Sequence, residues 1–330
     1  MNYPDTIADV DSLDCLPYFE RDEEGNLKIK AQYQLPAIDM HIHLNQHRAA
    51  AGETKTYFPT RGCVVHLSKY SAFDFSPQLK KRCQRRSIRA IISRRGIEPT
   101  ATLDNLMLAM NRLGIVRCAA MAIDGFRPKN SLRLLEQCRK SEQKIIPFVS
   151  IHPLAPGAVK ILGSLKENGG VGLKIHPPIQ LVKPDNKKVI ALVNEAGKMR
   201  MPVLFHCGQS PLLPPLTRRF EQMTSFLNLI WRCPETTIIL GHAGIMEYEE
   251  AARLAAKFDN VFLEVSGQPP EAIKEMWKTA SPDKLLFGSD WPYYPMALPL
   301  AKVLLATEGE DEIRKKILFK NVTNIFKNIR

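Results

Sequence analysis

Eight short apolar runs constrain the fold more than any other feature of this sequence. Most are separated by amphipathic stretches long enough for a helix, and they are rich in β-branched residues, as expected of parallel strands buried on both faces. A strand–helix unit repeated eight times predicts an α/β fold, the (β/α)8 TIM barrel. An open doubly wound sheet is the structural alternative. The runs cover 37–44, 116–123, 145–151, 171–176, 201–206, 237–242, 260–266 and 285–290.

Residue types that bind metal stand at the ends of five of these runs. A parallel barrel gathers the carboxyl ends of its strands at one mouth, so residues far apart in the chain can share one ion. This placement favours a metal-dependent enzyme over a binding module or a structural protein. The five segments are Asp39-Met40-His41-Ile42-His43, Lys174-Ile175-His176, Phe205-His206, Gly241-His242 and Gly288-Ser289-Asp290-Trp291-Pro292.

His41 and His43 form the sharpest of these signals. Side chains alternate along a strand, so two residues separated by one position point to the same face. Two neutral imidazoles placed in this way can chelate a cation such as zinc, iron or nickel. Two buried core histidines are the alternative interpretation, and the later segments weigh against it.

These segments together resemble the amidohydrolase superfamily, specifically its amidohydrolase-related branch of TIM-barrel metal hydrolases. The resemblance runs from about Ala37 to the end of the chain, in register with all eight runs. Each motif is weak alone, whereas their common order along the chain is a strong signal. The motifs are His41-Ile42-His43, Gly172-Leu173-Lys174-Ile175-His176-Pro177, His206, Gly241-His242-Ala243-Gly244, Leu286-Phe287-Gly288-Ser289-Asp290-Trp291-Pro292 and Asn321-Val322-Thr323-Asn324-Ile325-Phe326.

The resemblance implies a role for each residue at the mouth. His41, His43 and Asp290 would hold a divalent transition metal, with His206 as a further ligand. The ion would be zinc, with manganese or iron as alternatives, in one or two copies per chain. His242 would hold a second ion or hydrogen-bond the reacting group. Asp290 would also act as the general base that moves the proton of a metal-activated water.

Lys174 decides the metal count, and the sequence leaves it open. In binuclear members of the superfamily a lysine on the fourth strand is carboxylated and bridges the ions. In other relatives it pairs with a substrate carboxylate or a buried acid, such as Glu264. Substrate contacts are expected of His176, Trp291 and His47, and His152 is a further candidate for lining the mouth.

Composition agrees with one barrel domain over residues 1–330, with an N-terminal extension at 1–35 and an insertion at 45–100 after the first strand. Seven cysteines without paired spacing suggest reduced thiols and a cytoplasmic protein. The first residues do not resemble a signal peptide, and no run of about 18 apolar residues predicts a membrane span. A homo-oligomer is left open.

The formal net charge of +12 is high for a metabolic hydrolase, and much of it lies in the insertion. Residues 69–95 are strongly basic, and 77–95 have the pattern of an amphipathic helix with Arg82, Arg85, Arg86 and Arg89 off its apolar stripe. These charges are interpreted either as a solvated face or as a surface that attracts an anionic substrate, an acidic protein partner or nucleic acid.

Three classes of function fit these features. The first, and the one favoured here, is hydrolysis of an amide, lactone or ester-like bond in a small anionic substrate. The second is non-oxidative decarboxylation, similar to the aminocarboxymuconate-semialdehyde and resorcylate decarboxylases of the same branch. The third is a nuclease similar to the TatD enzymes, or a nucleic-acid-binding protein. TatD enzymes carry a glutamate where this chain has Lys174, which weighs against the third class.

Overall fold

A computed structural model describes residues 4–47, 49–56, 63–74, 76–78, 80–82, 84–85, 98–210 and 213–327. Within these ranges, eight strands form one parallel sheet in which each strand pairs with the next along the chain. The strands are β1 Ala37–Ile42, β2 Ile115–Met121, β3 Ile145–Val149, β4 Gly172–Ile175, β5 Val203–His206, β6 Ile238–Gly241, β7 Val261–Glu264 and β8 Leu285–Leu286.

The sheet closes between its first and last strands. The amide of Met40 donates to the Phe287 carbonyl oxygen at 2.8 Å, and the amide of His43 donates to the Trp291 carbonyl oxygen at 2.6 Å. Regular β8 ends at Leu286 and is shorter than the sequence predicts, and Asp290, the last residue of the predicted run, has a left-handed φ of 57° that a strand cannot accommodate. The predicted (β/α)8 barrel is confirmed.

Each strand is followed by a helix that covers the outside of the barrel. The first of these helices begins at Thr102, whose side chain accepts a hydrogen bond from the Asn105 amide, and ends at the left-handed Gly114. The helices are α1 Leu103–Leu113, α2 Lys129–Arg139, α3 Ala158–Glu167, α4 Lys187–Lys198, α5 Met223–Arg232, α6 Tyr248–Lys257, α7 Pro270–Ala280 and α8 Ala297–Ala306.

Shorter elements join or flank these units. The short helical segments are Val10–Cys15, Ala31–Tyr33, Tyr70–Ala72, Pro177–Gln180, Pro215–Phe220, His242–Glu247, Pro282–Lys284, Asp311–Lys315, Lys316–Lys320 and Asn321–Lys327. Two small antiparallel pairs lie outside the barrel: Thr6–Ile7 with Val65–His66, and Phe19–Arg21 with Leu27–Ile29. Among the described residues, no helix is long and apolar enough to cross a membrane.

The inside of the barrel is filled from the amino-terminal ends of the strands. Val322 and Ile325, on the C-terminal helical segment, belong to the same apolar cluster as the inward-facing strand residues. This packing leaves the carboxyl-terminal mouth for polar groups. The strand residues of the cluster are Ile38, Met40, Ala119, Met121, Ile146, Phe148, Leu204, Ile239 and Leu286.

The N-terminal extension packs on the barrel, and its Leu13, Leu16 and Phe19 are buried in the main core. In the insertion, the described residues 77–78, 80–82 and 84–85 are helical, and Arg82 and Arg85 are exposed. The rest of the predicted helix, including Arg86 and Arg89, lies outside the described residues.

Candidate metal centre and active site

His41, His43 and Asp290 meet where β1 and the continuation of β8 reach the mouth. The Asp290 Oδ1 atom lies 3.4 Å from His43 Nε2 and 3.7 Å from His41 Nε2. Ligand bonds of about 2.0–2.1 Å in a tetrahedral zinc site place donor atoms roughly 3.4 Å apart. Asp290 Oδ1 is also buried without a hydrogen-bond partner among the described residues. The three side chains therefore fit a divalent cation.

The backbone that presents Asp290 is held by neighbouring polar groups. Its amide donates to the His41 carbonyl oxygen at 2.7 Å. Buried Asp39 joins the same two strands, because its Oδ1 accepts from the amides of His41 at 3.0 Å and Ser289 at 2.9 Å. Burial raises the pKa of Asp39 to about 7. The left-handed φ values of Asp290, 57°, and His242, 59°, are uncommon for non-glycine residues and mark strained backbone at the site.

Glu264, at the end of β7, accepts four hydrogen bonds. Its Oε2 accepts from His41 Nδ1 at 2.7 Å, the His242 amide at 3.1 Å and the Ser266 hydroxyl at 3.0 Å. Its Oε1 accepts from the Ser266 amide at 2.6 Å. Gly288 is required beside it, because a Cβ there would lie 2.2 Å from Glu264 Oε1. The sequence indicated Glu264 only as a buried acid within the seventh run that could pair with Lys174.

This carboxylate determines the tautomer of two histidines. A carboxylate only accepts hydrogen bonds, so the proton of His41 is on Nδ1 and its Nε2 is left as a ligand atom. The Ser266 hydroxyl donates to Glu264 and therefore accepts from His242 Nδ1, which lies 2.8 Å from Ser266 Oγ. His242 consequently has a free Nε2 as well.

His176 and His206 form a stacked pair with ring centroids 4.2 Å apart, and the ring of His206 lies 4.8 Å from that of His242. Among the described residues, the buried atoms His206 Nε2 and His176 Nδ1 have no hydrogen-bond partner. Burial lowers the pKa of His41, His176, His206 and His242 well below the ordinary value. These imidazoles are therefore neutral, the form that binds a cation.

Lys174 points into the same cluster and is 1% exposed. Its Nζ lies 3.2 Å from His41 Nε2. Burial lowers the pKa of Lys174 to about 8, although the charges of Asp290 and Glu264 oppose the shift. The expected pairing with Glu264 is therefore electrostatic, because the hydrogen bond of Lys174 is with His41 and the Glu264 oxygens accept from other groups.

Other candidates lie further from the cluster. Trp291 is 2% exposed and packs with the main core, and its contact with a substrate stays a prediction. His47 lies outside the cluster, with its Nδ1 3.2 Å from an Arg133 guanidinium nitrogen. His152 stacks on exposed Phe126 with ring centroids 4.6 Å apart. The Cys207 thiol packs against Met223 Sδ at 3.5 Å, and His66 Nε2 lies 3.0 Å from Asp74 Oδ2.

Comparison with known proteins finds a family model that matches this chain and solved structures that are similar to it. The family model described as "Amidohydrolase" matches residues 38–327. A search of curated proteins finds no match. Among solved structures, an uncharacterised TIM-barrel protein from Bordetella bronchiseptica is similar at a TM-score of 0.63 and 15% identity, covering 89% of this chain and 99% of that one.

Two decarboxylases are also similar in structure. The 2,6-dihydroxybenzoate decarboxylase from Rhizobium has a TM-score of 0.57 and 16% identity, covering 88% of this chain and 99% of its own. A dihydroxybenzoic acid decarboxylase from Polaromonas sp. JS666, with bound manganese and the inhibitor 2-nitroresorcinol, has a TM-score of 0.57 and 17% identity, covering 88% and 98%. At such identities the likeness establishes the fold alone.

Proposed function

This chain belongs to the amidohydrolase family, and from that premise we propose that it is a metal-dependent, non-oxidative decarboxylase of a small aromatic carboxylic acid. The sequence alone favours hydrolysis. Several similar structures support its alternative, because their named activity is decarboxylation. The observation that carries the proposal is the cation-binding trio of His41, His43 and Asp290 beside a buried lysine.

The charge balance of the mouth suits a carboxylate substrate. A divalent ion at the trio brings two positive charges, and Lys174 adds a third when it is protonated. The nearby negative charges are those of Asp290 and Glu264, which also act on the pKa of Lys174. The loaded site would therefore carry a net positive charge, and buried charges need a partner of opposite sign. An anionic substrate supplies that partner.

In this proposal, His41, His43 and Asp290 hold the ion, with His206 as a further ligand. A bound dication orients the substrate and stabilises negative charge that develops on its oxygen atoms. Zinc is favoured by the sequence and manganese by the Polaromonas structure, so both ions should be compared. Lys174 pairs with the substrate carboxylate, and neutral His176 contacts the substrate beside it.

The chemical balance assigns a proton transfer to Asp290. Breaking the bond between the ring and its carboxylate releases carbon dioxide and leaves an electron pair on the ring carbon, which must take up one proton. Asp290 would hold the ion through Oδ1, which faces His43 and His41, and its second carboxylate oxygen would take a proton from solvent and deliver it to this carbon.

Hydrolysis of an amide, lactone or ester-like bond is the second candidate. The same Asp290 oxygen would accept a proton from the attacking water and pass it to the leaving group. The basic insertion at 69–95 is proposed to attract the anionic substrate or an acidic partner, and of its arginines Arg82 and Arg85 are exposed in the described part.

One assay separates these candidates. The purified protein, loaded with Mn²⁺ or Zn²⁺, is incubated with 2,6-dihydroxybenzoate, 5-carboxyvanillate, lactones, acyl amides and short DNA. We expect carbon dioxide release from an aromatic acid, and elemental analysis should find about one or two ions per chain. Hydrolysis of a lactone or amide without decarboxylation would replace the proposal with the second candidate. The His41→Ala/His43→Ala double variant is the control and should lose both metal and activity.

A further inference from the structure

The insertion after β1 reaches the active site through one short turn, Lys69–Phe73. The Ser71 amide donates to the Gly267 carbonyl oxygen at 2.8 Å. The buried Lys302 side chain on α8 donates to the carbonyl oxygens of Lys69 at 2.9 Å and Gly267 at 3.2 Å. The turn is therefore fastened to the loop that follows β7.

This turn holds the Tyr70 ring against the end of β7. A Cβ on Gly267 would lie 3.0 Å from Tyr70 Cε2 and 3.3 Å from its Oη, so the ring occupies the space that a larger residue would fill. Gly267 directly follows Ser266, the partner of His242 Nδ1. The left-handed φ values of Ser71, 64°, and Ala72, 66°, bend the chain sharply at this point. Tyr70 thus lies beside the histidine cluster.

The Tyr70 hydroxyl is a donor without an acceptor in the described part of the protein. The side chain is partly exposed, and no hydrogen bond of its Oη is found among the described residues. Burial raises the pKa of Tyr70 well above its ordinary value, and the charges of Tyr294, Asp290 and Glu264 raise it further.

We propose that Tyr70 is a substrate-binding residue, delivered to the barrel mouth by the insertion, whose hydroxyl donates a hydrogen bond to an oxygen atom of the bound substrate. This inference rests on the proposed function only in requiring a small, oxygen-bearing substrate at the mouth. It accounts for the anchoring by Ser71 and Lys302, because a binding residue on an insertion needs a fixed position.

The test is a Tyr70→Phe variant of the full chain, loaded with metal. A phenylalanine keeps the ring packing on Gly267 and removes only the donor. The matched control is Tyr248→Phe, whose hydroxyl donates to Glu275 on the outside of the barrel. Metal content and thermal midpoint should match those of the native protein in both variants. The readouts are KM and kcat for the compound that the native protein turns over, and the affinity for the probe 2-nitroresorcinol.

Hydrogen bonds to charged acceptors contribute roughly 1.5–3 kcal/mol, so Tyr70→Phe should raise KM and the probe's dissociation constant at least about 10-fold. The control should stay within about 2-fold. Unchanged KM and probe affinity in a folded, metal-loaded Tyr70→Phe protein would overturn the inference. Turnover of a lactone or amide instead of an aromatic acid would overturn the proposed decarboxylation alone, and the KM comparison would then use that substrate.

Discussion

Four histidines of the mouth fall into two groups that differ in how they are held. His41 and His242 have their Nδ1 atoms fixed by Glu264 and Ser266. His176 and His206 are stacked on each other, and each has a buried nitrogen without a hydrogen-bond partner among the described residues. A buried polar atom without a hydrogen bond costs about 1–3 kcal/mol. We call the first group the finished scaffold and the second the unfinished group.

Asp290 belongs with the unfinished group, and its substitution should have the largest effect. Asp290→Asn keeps the shape and removes both the proton-transfer group and a negative ligand. General acid–base groups contribute about 100- to 10,000-fold to the rate, so kcat should fall by at least about 100-fold. Circular dichroism should show an intact fold. A loss of less than about fivefold in kcat would mean that another group moves the proton.

Glu264 tests the finished scaffold. In Glu264→Gln the side-chain amide cannot accept all the hydrogen bonds that the carboxylate now accepts, so the tautomers of His41 and His242 are no longer enforced. Loss of such supporting groups typically lowers metal affinity about 10- to 100-fold. The measurement is a competition titration with a chelator.

Ser266→Ala is the companion experiment, because Ser266 is hydrogen-bonded to the ring of His242 and not to the ring of His41. It should weaken metal binding less than Glu264→Gln if His41 is the primary ligand. Equal metal affinity for the native protein and Glu264→Gln would show that the scaffold does not determine ligand geometry.

His206 and His176 sharpen the comparison within the unfinished group. His206→Asn should lower metal affinity, because its free Nε2 is assigned to the ion. His176→Asn should retain the metal and raise KM severalfold, because its free Nδ1 is assigned to the substrate. Both affinities are measured by the same titration and KM by initial rates. If the two substitutions weaken metal binding to the same extent, the division of roles is wrong.

A smaller effect is expected at a second buried carboxyl. Glu264 is fully hydrogen-bonded, whereas Glu221 has one bond, from the Ser210 amide at 3.2 Å, and its Oε1 has no partner among the described residues. Burial raises the pKa of Glu221 from its ordinary value of 4.5 to about 8. Between these pH values the folded state binds more protons than the unfolded state, so this group lowers the free energy of unfolding as pH rises.

Glu221→Gln should remove that contribution. Urea unfolding at pH 5, 6.5 and 8 should show the variant gaining stability relative to the native protein as pH rises, by about 1 kcal/mol or more across the window. A constant difference between the two proteins at all three pH values would mean that Glu221 is already ionised in the folded state.

The barrel and the grouping of three candidate ligands at its mouth could be predicted, because both follow from one-dimensional patterns. Buried parallel strands have apolar sequences, which makes them recognisable. The carboxyl ends of the strands meet at one mouth, so His41, His43 and Asp290 come together independently of the loop conformations. The end of β8 was predicted less well, because the left-handed Asp290 leaves no periodic signal. Trp291 is buried, so its predicted contact with a substrate stays a prediction.

The supporting residues could not be predicted, because they depend on how loops fold over the strand ends. The sequence shows Glu264 as a buried acid that could pair with Lys174, but it cannot reveal the four hydrogen bonds that this carboxylate accepts. Tyr70 lies in the insertion after β1. The sequence pattern of that insertion indicates a basic helix, but the residue proposed to reach the mouth lies on the turn before this helix. Its position depends on Lys302, more than 200 residues later, and on the space left by Gly267.

The closure of the barrel between β1 and β8 also bears on how the protein folds. The ligand atoms of His41 and Asp290 approach each other only after the first and last strands have paired, the contact of greatest sequence separation in the sheet. Contacts of this kind form slowly, because the intervening chain must be ordered first. An ion held by His41, His43 and Asp290 would bind the closed barrel and not folding intermediates in which β1 and β8 are still unpaired. Metal uptake would thus report the final step of folding.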